Sequence, residues 1–318
     1  MTRTTCLTAG AFLAFMLSAA HADGERVAIL TTNLTNPHFQ LVRAGADAAA
    51  RQMKASVTHY VPSKADSLPE QMSQVEDLVI KKPDAIVFVP ADYKAMVPGI
   101  EKLNAAGIPL VNVTTRLSGG KVVSFVGSND YDLGLATGRY LLKALGGKGN
   151  VIIIEGLKGN IVSMNRVRGF TDALKEFPNV KLLASQTGNF QRLPANQVME
   201  NLLQAHAKVD GVMAANDAMA SGVIEALDGA GRKALVVGIN GTKEAIDAIR
   251  AGKLLATGDY GSFLQGCVAT VTALRNLRGL PVRSEVVFPA TLIDKSNVDR
   301  FDIPTQGREC PTWEALVR

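Results

Sequence analysis

The chain has 318 residues, 47% of them hydrophobic and 20% charged, and 34 Lys and Arg against 29 Asp and Glu give a formal net charge of +5. That apolar content suffices for a core, and the length points to more than one domain. Acidic and basic residues are interspersed with no basic stripe, so no nucleic-acid partner is expected; the mild positive balance suits solubility or an anionic small ligand.

In chain order, Arg3 precedes a largely apolar run, Cys6 to Ala20, and Ala20-His21-Ala22 supplies small residues of the A-x-A type. Residues 1–22 therefore read as a cleaved signal peptide, too short in apolar length for a membrane span, and an exported, periplasmic product is expected. Export changes the meaning of the cysteines. With Cys6 removed, Cys267 and Cys310 remain as an even pair in an oxidising compartment. A disulfide there would tie the tail to the body, and two unpaired thiols are the alternative. Neither cysteine has a His or Cys at ligand spacing, so no metal is expected.

Val27 to Phe39, VAILTTNLTNPHF, is an apolar run ending in polar residues. It reads as a buried strand feeding a helix, with Asn36 at the N-cap and Pro37 at the first helical position. Further strands are expected at Val57–Val61, Ala85–Val89, Leu110–Val113, Val122–Val126, Val151–Glu155, Lys181–Ser185, Gly211–Ala215, Leu235–Ile239 and Leu255–Gly258. Between most of them lie apolar residues at helical spacing, such as Phe39, Val42, Ala46 and Ala49. This order predicts an α/β fold of two doubly wound parallel-sheet lobes, since ten strands overfill one ordinary sheet.

The rhythm breaks at three places. Two strands, Leu110–Val113 and Val122–Val126, follow one another with no helix between, and Gly127-Ser128-Asn129 then opens a new helix. Tyr260-Gly261 and Phe288-Pro289-Ala290, the latter inside a final strand, are the other two. Three crossings make a three-strand hinge from Ser128, Asn129, Tyr260, Gly261, Pro289 and Ala290. The expected lobes are 23–128 plus 261–290, and 129–260 plus 291–318.

Catalytic patterns are missing: there is no G-x-x-x-x-G-K-[ST] loop, no G-x-G-x-x-G after a strand, no H-E-x-x-H and no G-x-S-x-G. No enzyme activity and no cofactor are expected. What recurs is an amide or hydroxyl at a strand end: Asn36; Thr114, Thr115 and Arg116; Asn216; Asn240. Each taken singly can be an N-cap. Together at one edge of two sheets they would line a cleft, with His38, Phe39 and Phe190 as flat apolar surfaces.

Eight stretches carry a resemblance over Val27 to Ile293: TTNLTNPHF, KKPDAIVFVPAD, AAGIPLV, VGSNDYDLG, RVRGF, AANDAMASG, VVGINGT and AGKLLATGDY. In that order they resemble the periplasmic solute-binding proteins of the ribose- and galactose-binding type, which serve ABC importers. The resemblance implies the type I two-lobed receptor fold, a monomer that closes on a small solute and delivers it to a membrane permease. It implies ligand contacts at Asn36, His38, Phe39, Phe190, Asn216, Asn240 and Tyr260. A ligand receptor for a chemoreceptor or sensor kinase is the alternative.

The departures from ribose binders share a direction. Thr114-Thr115 replaces an Asp-Arg pair, with Arg116 one place later; Asn240 replaces an Asp; Met164 replaces an Arg; His38 replaces one ring of a Phe pair. Losing two carboxylates relaxes a barrier against anions, with Arg116 as the counter-charge if it points into the cleft. Met164 instead suits a smaller, more apolar neutral ligand. A polyol, deoxysugar or sugar acid is expected, and ribose is not.

Overall fold

The structure is a computed structural model describing residues 24–316, so the expected signal segment lies outside the described residues. The first lobe begins with β1 (Arg26–Leu30), α1 (Pro37–Met53), β2 (Ser56–Tyr60), α2 (Leu68–Lys81), β3 (Ala85–Phe88), α3 (Val97–Ala105), β4 (Leu110–Val113) and β5 (Ser124–Ser128). The second holds α4 (Asp130–Ala144), β6 (Lys148–Glu155), α5 (Ile161–Lys175), β7 (Asn179–Thr187), α6 (Arg192–Ala205), β8 (Gly211–Ala214), α7 (Asp217–Gly229), β9 (Leu235–Asn240), α8 (Lys243–Arg250) and β10 (Ala256–Asp259). The chain then returns to the first lobe with α9 (Ser262–Leu277) and β11 (Glu285–Phe288), and crosses back with β12 (Thr291–Asp294).

Strand side chains alternate between two cores. Along β1, Val27 and Ile29 pack toward α1 and α9, while Ala28 and Leu30 pack with Val75, Ile86 and Ile100 on the opposite face. Both faces being covered explains why these strands are apolar without a polar side. The helix over the first face packs backbone to backbone: a Cβ on Gly266 would lie 1.9 Å from the Val42 carbonyl oxygen, so only glycine permits the α1–α9 approach.

The sheets run β11-β5-β4-β3-β1-β2 and β12-β10-β9-β8-β6-β7, one order repeated. All pairings are parallel except β12 on β10. That exception follows from the crossing. β11 and β12 continue one path across Pro289-Ala290, so the strand that leaves the first sheet alongside β5 enters the second against the direction of β10. What reads as one final strand is thus two short ones, one in each sheet.

Three crossings occur at Ser128-Asn129, Tyr260-Gly261 and Pro289-Ala290. The tail adds a fourth. β12 and a 3-10 turn, Val298–Arg300, stay on the second lobe, where Arg250 pairs with Asp299 (2.6 Å) and with Asp302. Beyond them Cys310 and Leu316 are buried in the first-lobe core, and Trp313 of α10 (Trp313–Leu316) lies under the Arg275 guanidinium. The assignment of 291–318 wholly to the second lobe is therefore corrected at its end. The cause is covalent as well as apolar, because Cys310 forms a disulfide with Cys267 of α9. No helix among the described residues is long and apolar enough to cross a membrane.

Candidate functional site

The carboxyl ends of the two sheets face each other across a cavity of about 50 Å³. The first lobe lines it with Asn33, Asn36, His38, Phe39, Asp66, Thr114 and Thr115, the second with Leu157, Asn160, Val162, Arg166, Phe190 and Asn240, and Tyr260 comes from a crossing. No cluster of His, Cys, Asp and Glu fit to hold a metal occurs among the described residues.

On the first wall, Asn36 caps α1 by accepting the His38 backbone N–H at 3.0 Å through Oδ1. This leaves its Nδ2 hydrogens for the cavity. The His38 ring is 2% exposed and spoken for at both nitrogens, with Nδ1 2.8 Å from Ser262 Oγ and Nε2 3.1 Å from Thr114 Oγ1. The Thr114 hydroxyl donates to Gln265 Oε1 at 2.8 Å, because Gln265 Nε2 is committed to the Tyr260 carbonyl at 2.7 Å. Thr114 oxygen must then accept, so His38 carries its proton on Nε2 and accepts from Ser262 at Nδ1. Burial, with Arg166 adding a second push, lowers its pKa to about 3. His38 is a neutral structural ring, not a charged one.

The second wall is ionic. Arg166 is 2% exposed; its Nε donates to Asp130 Oδ1 at 2.8 Å, and Nη1 donates to the Ala215 carbonyl at 2.7 Å and to Asn240 Oδ1 at 3.0 Å. Its guanidinium lies 4.5 Å from the centre of the Tyr260 ring, whose hydroxyl reaches Asp130 Oδ2 (3.3 Å) and the Thr114 carbonyl (3.4 Å). Burial pushes the Asp130 carboxyl above the usual range, and Arg166 draws it only part of the way back. Behind them Asp217 accepts from Thr257 Oγ1 (2.6 Å) and the Thr242 N–H (2.9 Å), and burial raises it to about 6.

Phe190 sits on a seat made for it. A Cβ on Gly156 would lie 2.1 Å from the ring, so the ring rests on bare backbone at the end of β6. Asn216 Nδ2 donates to the Phe190 carbonyl at 3.0 Å from behind, while its Oδ1 caps α7 through the Met219 N–H.

Backbone strain marks the same place. Non-glycine residues with left-handed or related positive φ are Lys54, Asp66, Lys82, Thr114, Asn189, Phe190 and Asn240. Lys54 and Lys82 are helix C-caps; Asp66, Thr114, Phe190 and Asn240 all line the cavity, and Asn189 adjoins Phe190. A β-branched Thr at φ 63° is an outlier. Its surroundings hold it there, as strained residues at functional sites are held.

Of the expected contacts, Asn36, His38, Phe39, Thr114, Thr115, Phe190, Asn240 and Tyr260 come together. Three expectations are corrected. Arg116 points away, pairing with Glu285 at 2.7 Å and lying over the Phe125 ring at 3.8 Å on a half-exposed surface, so it is no counter-charge for the cavity. Asn216 is fully buried behind Phe190 and touches the site only through that residue's backbone. Met164 is 55% exposed on the outer surface and does not make the cavity apolar. The residues expected to form a hinge sit at the crossings between lobes, where Ser128 Oγ donates to the Tyr260 carbonyl at 2.9 Å and so ties the first crossing to the second. Gly261 takes φ 63° at the start of α9, and Asn129 caps α4.

Arg166, Asn160, Asn33 and Asp66 were not expected. Asn160 follows the strand-end pattern, capping α5 after β6, and that pattern would have found it. Arg166 stands in the RVRGF stretch, but nothing local separates it from Arg168 beside it.

A family profile described as a periplasmic binding protein domain matches residues 27–281. The chain is 32% identical over 266 residues to the ribose import binding protein of Bacillus subtilis, covering 84% of this chain and 86% of that one. It is 31% identical over 308 residues to the D-apiose import binding protein of Paraburkholderia graminis, covering 95% and 97%. A periplasmic ABC-transporter solute binding protein from Actinobacillus succinogenes, solved with D-allose, superposes with a TM-score of 0.83 at 32% identity, covering 87% of this chain and 99% of that one.

Proposed function

Because this chain belongs to the periplasmic binding protein family, a family of solute receptors and not of enzymes, we infer that it is the substrate-binding component of an ABC importer for a small neutral polyol or deoxysugar. The observation that carries the reading is the cavity built from the strand ends of both lobes, with strained backbone concentrated around it. A cavity of that size suits a solute smaller than a disaccharide. Hydrogen-bonding groups at its wall include the Nδ2 groups of Asn36, Asn160 and Asn240, whose oxygens are used within the protein, all donors that a ligand hydroxyl can satisfy. Phe39 and Phe190 offer faces to its C–H side.

The sugar-acid alternative loses support because Arg166, the cation at the cavity, is already paired with Asp130. The ligands in the relatives' names, ribose, D-apiose and D-allose, are neutral as well. Contacts to both lobes favour the closed arrangement by differential affinity, with Ser128-Asn129, Tyr260-Gly261 and Pro289-Ala290 as the hinge. Delivery to an inner-membrane permease, the monomeric state and removal of residues 1–22 belong to the same proposal.

The test is a thermal-shift screen of the exported protein against pentoses, hexoses, deoxysugars, polyols and sugar acids. A cognate solute at 100 times its Kd adds about 2.7 kcal/mol of stability. No response to any neutral solute, with a clear response to an acid, would reverse the ligand class.

A further inference from the structure

We propose that Asp66 is the ligand-accepting carboxylate of this cleft and the residue that selects neutral hydroxylated solutes over carboxylated ones. This deepens the solute-receptor reading above and rests on it. Asp66 belongs to the loop between β2 and α2 and reaches the cavity from the first lobe. Its backbone is left-handed, φ 58°, a conformation that Asp tolerates better than most residues. Two bonds hold it there: its N–H donates to the Thr32 carbonyl at 2.9 Å, and Asn33 Nδ2 donates to its Oδ1 at 2.8 Å. Asn33 is itself fixed, since its Oδ1 accepts the Asn36 N–H at 3.0 Å. The carboxylate is thereby oriented by one oxygen, and Oδ2 is left for the cavity.

The inventory of the cavity gives this group its role. The other carboxylates near the site are engaged: Asp130 with Arg166 and Tyr260, Asp217 with Thr242 and Thr257. Thr114 has spent its hydroxyl on Gln265, and Asn240 has spent its oxygen on Arg166. The groups left over at the cavity are mostly donors, so a hydroxylated solute needs an acceptor for its own O–H hydrogens, and Asp66 supplies it. No Lys, Arg or His among the described residues lies within ion-pair distance of Asp66. Its charge at the wall is uncompensated by an ion pair. It strengthens bonds from hydroxyl donors and repels a ligand carboxylate.

The experiment compares the wild-type protein with Asp66→Asn and Asp66→Gly by titration calorimetry. The probes are xylitol, ribitol, D-apiose and D-allose, set against xylonate and ribonate. Both substitutions suit a left-handed backbone, and Asp66→Asn keeps an oxygen for Asn33, so the ligand-free melting temperature of Asp66→Asn should stay at the wild-type value. Expected are binding of at least one neutral probe by the wild type, a loss of about 10- to 100-fold in both variants, and a narrower preference for the polyol over its acid. Unchanged affinity in both variants beside a wild type that binds overturns the role of Asp66 alone. A wild type that binds no neutral probe overturns the reading of the cleft, and the role of Asp66 falls with it.

Discussion

The two walls of the cleft are built on opposite electrostatic terms. In the first lobe, His38 is kept neutral inside a relay of hydroxyl and amide groups, Ser262, Thr114 and Gln265. In the second, a buried guanidinium is matched by the Asp130 carboxylate and two oxygens, the Ala215 carbonyl and Asn240 Oδ1. Tyr260 joins them, its hydroxyl between the Thr114 carbonyl and Asp130. A neutral relay loses one bond at a time when a member is changed, whereas an ionic wall is left with an uncompensated charge. The receptor therefore has one wall that tolerates substitution and one that does not.

Removing the cation should show the largest effect. Arg166→Met strands the Asp130 carboxylate and should cost about 3–5 kcal/mol of stability in denaturant unfolding. Adding Asp130→Leu to it should recover part of that loss. If the double variant is no more stable than the single one, the second wall is not organised by the ion pair.

The next two predictions set the walls against each other through pH. His38 has a folded pKa depressed below its unfolded value, so its contribution is fully present above about pH 6.5 and is lost as pH falls toward 3. At its fullest this is of order 5 kcal/mol. Asp217, on the other side, has a raised folded pKa. Its contribution is present below about pH 4 and is lost as pH rises through 6, with a size of order 3 kcal/mol. Asp130 acts in the same direction as Asp217. The two walls thus partly cancel, and the wild type should have a shallow stability profile between pH 4 and 7. His38→Phe should unmask a gain in stability on acidification, and Asp217→Asn should deepen the acid loss. Parallel profiles for the two variants would end the contrast between the walls.

The smallest expected effect is at Asn36. Asn36→Ala removes the α1 cap for about 1 kcal/mol, and should abolish the ligand-induced thermal shift while leaving the fold intact. A variant that still shifts with the cognate solute would take Asn36 off the contact surface.

The amides at strand ends were legible because a parallel α/β sheet sends every strand's carboxyl end to one edge, and caps favour Asn there. That reasoning reached Asn36 and Asn240, yet it also reached Asn216, which caps its helix from behind the wall. A cap's helix position says where its backbone bond goes and not which way the remaining amide faces. Arg116 and Met164 failed for a related reason. Past β4 the chain bends at Thr114 and Thr115, so a shift of one residue does not carry a side chain to an equivalent place, and along a helix two residues carry it to another side. Thus Thr115 lines the cavity and Arg116 leaves it; Arg166 is buried in the wall and Met164 is on the surface.

The sequence by itself determined the two-lobed α/β architecture and the crossings after β5, β10 and β11, and it left Cys267 and Cys310 as either a disulfide or two free thiols, which the tertiary structure decided. Those rest on periodicity, chain order and counting, which are local or one-dimensional. Only the tertiary structure decided which polar groups are consumed within the protein and which remain for a ligand. His38 is neutral because Ser262 and Thr114, distant in sequence, occupy both its nitrogens. Asp66 is left with a free oxygen because Asn33 takes the other. Hydrogen-bond capacity is allotted by neighbours in space, and those neighbours come from separate elements of the chain.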